Sequence, residues 1–117
     1  QIKLTPAEQG RLTTPRQRVN PKALDAYLQG RYLFWNKRTE ENLQKSIEYF
    51  QSAIKEDPSY ALAYAGLADC YNSLGAVQFG ALPPKEARSR AEKAAVKALE
   101  LDPKNEGLKA RLAAVGK

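Results

Sequence analysis

Histidine and methionine are missing from this 117-residue chain, and cysteine and tryptophan occur once each, as Cys70 and Trp35. Without histidine there is no histidine-based catalytic triad and no mixed Cys/His zinc site, and one cysteine closes no disulfide within the chain. Long apolar runs are missing too, so nothing in the sequence is built to cross a membrane. No basic-then-apolar leader opens the chain. There is no glycine-rich phosphate loop and no cluster of metal-ligand side chains. The expectation is therefore a chain with no catalytic residues, no cofactor and no metal. Lacking methionine, it is expected to be a piece of a longer protein whose other parts carry any catalytic or DNA-binding work. A lone cysteine favours the cytoplasm, and an extracytoplasmic place stays open if the parent has a membrane span.

What remains is 43% hydrophobic and 27% charged, the composition of one globular domain with a small core. The net charge is +6, unevenly spread. Residues 1–22 carry five basic and one acidic residue, and residues 83–117 carry nine basic and five acidic. In that last stretch Glu86, Glu92 and Glu100 alternate with the cations, the pattern of a solvated helix face rather than a phosphate-binding stripe.

Residues 1–19 are punctuated by Pro6, Gly10, Thr13, Thr14 and Pro15 and lack an apolar period, so they read as a linker or the tail of a preceding domain. Residues 20–117 read as helices throughout. Asn20-Pro21 opens the first, with Leu24, Tyr27, Leu28 and Trp35 at helical spacing, ending about Phe34–Asn36. Thr39 caps a second, carrying Leu43, Ile47, Phe50 and Ile54 to a stop at Asp57-Pro58. Ser59 is expected to start a third, which Gly75 terminates as a C-cap glycine. After a loop over 76–82, Pro83-Pro84 leads a fourth to Asp102-Pro103, and Asn105 opens a fifth with Leu108, Leu112 and Val115. No strand pattern competes, which makes the fold class all-α.

The second and fourth helices end alike, on Ala53-Ile54-Lys55-Glu56-Asp57-Pro58 and Ala98-Leu99-Glu100-Leu101-Asp102-Pro103. Ser46, Phe50 and Ala53 match Ala91, Ala95 and Ala98, while Gly30 and Ala68 occupy matching places on the helices before them. Together with Tyr64, Leu67 and Tyr71, these residues resemble the tetratricopeptide repeat, a helix–turn–helix unit of about 34 residues. The small residues let paired helices approach closely and the large ones fill the space between pairs. Two departures stand out. The first unit has about four extra residues near 37–40, and Pro58 and Pro103 are 45 residues apart, which places an insertion at 75–84. The resemblance implies antiparallel helix pairs stacked as a short right-handed superhelix of about two and a half units, over residues 20–58, 59–103 and a partial 104–117. The wording of residues 20–71 is similar to repeat segments of bacterial multidomain signalling and regulatory proteins.

The resemblance further implies a concave face lined by the first helix of each unit. On it would lie Leu24, Tyr27, Leu28, Arg31, Phe34 and Trp35, then Leu62, Ala65, Gly66, Asp69, Asn72 and Ser73, then Gly107, Ala110 and Arg111. Arg31 and Arg111 would suit a carboxylate, and Asp69 and Asn72 an extended backbone or a basic side chain. Arg31 and Asp69 pairing with each other is the structural alternative. The aromatics Tyr27, Tyr32, Phe34 and Trp35 are either core or an anchor pocket, and Phe79 either folds onto the helices or meets a partner. The expected function is a protein- or peptide-binding scaffold. Two rivals stay open. One is a homodimer through a terminal repeat face. The other, less favoured, is a nucleic-acid surface on Arg88, Arg90, Lys93, Lys97 and Lys109.

Overall fold

The computed structural model describes residues 20–76 and 82–113. The described residues form five helices and no strand: α1 (Pro21–Asn36), α2 (Glu40–Glu56), α3 (Ala61–Leu74), α4 (Pro84–Leu101) and α5 (Glu106–Leu112). The linker assigned to 1–19, Val77, Gln78, Phe79 and Val115 lie outside the described residues, as does the side chain of Arg111.

Local chemistry sets most helix ends. Asn20 holds Lys22 N on its side-chain oxygen at 2.8 Å, and Pro21 follows with no N–H to satisfy. At the next corner Thr39 Oγ1 accepts from Asn42 N at 3.1 Å. The Asn42 side chain donates back to Lys37 O at 2.9 Å, tying the end of α1 to the start of α2. Two later corners share one design. Asp57 and Asp102 each cap a helix with a similar φ, −144° and −141°, and donate N–H to Ala53 O and Ala98 O. A proline follows each, and each aspartate carboxylate holds the side chain of a residue two or three further on: Ser59 Oγ at 2.7 Å, Asn105 Nδ2 at 3.2 Å.

That corner corrects the expected start of the third helix. Ser59 gives both its N–H and its hydroxyl to Asp57 Oδ1, which holds it in the turn, and α3 begins at Ala61. Gly75 does end α3, but for a different reason than a left-handed cap. Its φ and ψ are −80° and −7°, which any residue adopts. What requires glycine is space, because a Cβ there would overlap the Ala87 methyl at the start of α4.

α1 packs along α2, α2 on α3, and α3 along α4, while α5 lies on α3 and α4. Tyr27 meets Phe50, Gly30 meets Ser46, and Lys37 meets Asn42, so α1 and α2 run antiparallel. The array measures 46 × 26 × 24 Å. Its centre is the Phe50 ring, 1% exposed. A Cβ on Gly30 would come within 2.8 Å of that ring and one on Gly66 within 2.6 Å, so the ring is wedged between α1 and α3 where two helices carry no side chain. Ser46, fully buried, donates to Gly30 O at 2.9 Å, which satisfies the hydroxyl inside the α1–α2 contact. The second pair has no such wedge. α4 turns Ala87, Ala91, Ala94, Ala95 and Ala98 inward, and small residues alone bring it against α3.

Candidate protein-binding face

α1 is apolar on two sides. Ala23, Ala26, Tyr27, Gly30 and Phe34 recur every three or four residues and face the core. A second row, Leu24, Leu28, Tyr32 and Trp35, is 41, 51, 64 and 62% exposed. A helix buried on one face needs one apolar stripe, so the second row is surplus to the packing of α1 on the core.

Two arginines are set into this row. The Arg31 guanidinium lies 5.7 Å from the centre of the Tyr27 ring. Arg38, just past the end of α1, sits 4.5 Å over Phe34 and 4.9 Å over Trp35. Phe34 and Trp35 meet edge to face at 5.3 Å, so the three side chains form one stack with the indole outermost. Each cation–ring contact at such a site contributes about 0.5–1 kcal/mol. Arg38 escaped sequence reading, although its place four residues after Phe34 and three after Trp35 is the spacing at which helical neighbours meet.

The expected groove residues divide. Tyr27 and Phe34 are core, 4 and 6% exposed, and with the buried Ala65 and Gly66 of α3 do not line an open surface. Tyr27 is covered because it packs on Phe50 at 5.8 Å and on Tyr60 at 5.1 Å. Leu62 is 37% exposed on α3, with Asn72 exposed and Asp69 and Ser73 half-buried on the same helix. The ion pairs among the described residues are Glu41–Lys45, Glu86–Arg90 and Glu106–Lys109, all within single helices. The positions weighed as a nucleic-acid surface are correspondingly mixed. Arg90 is bound to Glu86 and leans on Tyr71, and Lys109 is bound to Glu106. Residues 20–113 hold 14 basic and 12 acidic side chains, a near-neutral body. Among the described residues there is no metal-binding cluster, and no helix is long and apolar enough to cross a membrane.

Tyr60 ties this face to the core. Burial pushes its phenol up to about 12, with Tyr27 and Asp57 adding to the shift and Arg31 opposing it. Above pH 10 the unfolded chain releases that proton while the folded chain keeps it, so folding stability falls as pH rises from 10 to 12. In an alkaline titration followed by phenolate absorbance, Tyr60 is expected to ionise only at about pH 12. Tyr60→Phe should flatten the loss of stability over that window; an unchanged slope would put the shift elsewhere.

Over 79 residues, 68% of its length, the chain is 32% identical to the transcriptional regulator HilA of Salmonella typhimurium, and equally to HilA of Salmonella typhi and Salmonella paratyphi A. The aligned stretch spans 14% of those proteins. No family model and no solved structure matches the chain.

Proposed function

We propose that this chain is a tetratricopeptide-like helical repeat segment that serves a larger, regulator-type protein as a protein-interaction scaffold. The observation that carries the reading is the exposed row Leu24, Leu28, Tyr32 and Trp35, beside a core that α1 already completes with its other face. The repeat reading draws support from the two matching aspartate–proline corners. It draws further support from the small residues Gly30, Ser46 and Ala53 buried in one helix pair and Ala68, Ala91 and Ala98 in the other. The similarity to HilA supports a place in a transcriptional regulator. Binding and scaffolding ask no catalytic group of the chain.

The test is site-specific photocrosslinking in the cells that produce the protein. A photoreactive residue at Leu28 is expected to give discrete adducts with another protein, and one at the equally exposed Val96 of α4 is not. Equal yields from both positions, or none from either, would overturn the reading. Adducts at twice the chain's own mass would replace it with self-association through the same row.

A further inference from the structure

We infer that the exposed face of α1 takes an acidic amphipathic helix; the inference rests on the protein-binding reading and names the partner's chemistry. The first observation is spacing. Leu24, Leu28, Arg31 and Trp35 follow one another at intervals of four, three and four, the seam on which a second helix packs side by side. Leu28 and Trp35, with the aliphatic stem of Arg31 between them, offer ridges for the leucines or methionines of a partner. The backbone groups of α1 are spent inside its own helix, so an extended peptide gains no backbone pairing from it. No strand among the described residues offers an edge for it to join.

The second observation is charge. Arg31 lies within the seam and Arg38 at its end, and both contact rings rather than carboxylates. The three ion pairs of the described residues involve neither of them. Asp25, the one acid of α1, lies outside the seam, about 100° round the helix from Leu24. The face is thus apolar with two cations that stand outside the ion pairs of the described residues, complementary to a helix bearing glutamates or aspartates beside its apolar stripe. The same charges oppose a second copy of the chain as the occupant. Antiparallel pairing of α1 with itself along this seam brings the two Arg31 side chains together near the dyad, and parallel pairing sets them face to face.

The experiment uses the 117-residue chain and two synthetic helical peptides with one leucine seam, flanked by glutamate in the first and lysine in the second. A third peptide carries the glutamates but is broken by prolines. Trp35, the lone tryptophan, reports binding by its fluorescence. The acidic helix is expected to bind about tenfold more tightly than either control and to weaken with added salt. The double variant Arg31→Glu, Arg38→Glu should reverse the preference towards the basic helix. Both sites are exposed, and an unchanged melting temperature would show the variant folded. A basic helix or a proline-broken peptide that binds as well overturns the inference, yet leaves the protein-binding reading standing if Leu28 still crosslinks. An indole already shielded from quencher in the free chain overturns it in favour of an occupant from the chain itself. A chain that dimerises across its concentration range through Trp35 overturns it in favour of a second copy.

Discussion

Phe50→Ala is expected to cost about 3–5 kcal/mol of folding stability, the range for truncating a buried aromatic ring. A domain of this size has about 5–15 kcal/mol to lose, so much of the variant should be unfolded at moderate temperature. The cost is high because nothing nearby can collapse into the space. The ring stands between Gly30 and Gly66, which bring two helix backbones up to it with no side chains of their own. Urea unfolding followed by circular dichroism measures the effect, and a loss below about 1.5 kcal/mol would mean that the helices close over the gap. Gly66→Ala tests the wedge from the other side. Alanine favours a helix over glycine by about 1 kcal/mol, but its Cβ would lie 2.6 Å from the ring, so a net loss is expected. Pairing Gly66→Ala with Phe50→Leu should cost less than the two single changes added together, since both act on one contact.

Ala91→Leu carries the second large effect. Ala91 is fully buried on the face that α4 turns to α3, with Ala87 and Ala98 beside it. Three added carbons have no room without forcing the pair apart, and overpacking of this kind costs about 2–3 kcal/mol. The thermal midpoint should fall by roughly 10 °C. Val96→Leu on the same helix is the control, because Val96 is 55% exposed and a surface change is expected to stay within about 0.5 kcal/mol. Equal effects at the two positions would show that α3 and α4 do not meet where the alanines place them.

These two sites show why one helix pair was easier to read than the other. In α2 the apolar residues Leu43, Ile47 and Phe50 stand out against a polar background, so the buried face follows from their spacing. In α4 the buried face is all alanine, and the pattern carries meaning through the repeated ending shared with α2. α1 was the hardest. Its large apolar residues occupy two faces at once, and spacing placed Tyr27 with Trp35 although one is core and the other exposed.

By itself the sequence determined that the described residues are helical and where most of their helices start or stop. Asn20, Thr39, the two Asp-Pro corners, Pro83-Pro84 and Asn105 act within about four residues of themselves, through hydrogen bonds and ring sterics that need no distant partner. Tertiary structure alone decided which face of α1 is spent on the fold. Phe50 and Tyr60 arrive from α2 and the turn after it to cover Tyr27, while Leu28 and Trp35 stay more than half exposed. It also decided that Gly75 serves a close approach to Ala87 rather than a turn. Contacts between residues on different helices depend on how the helices pack, and that packing is not written in the spacing of any one of them.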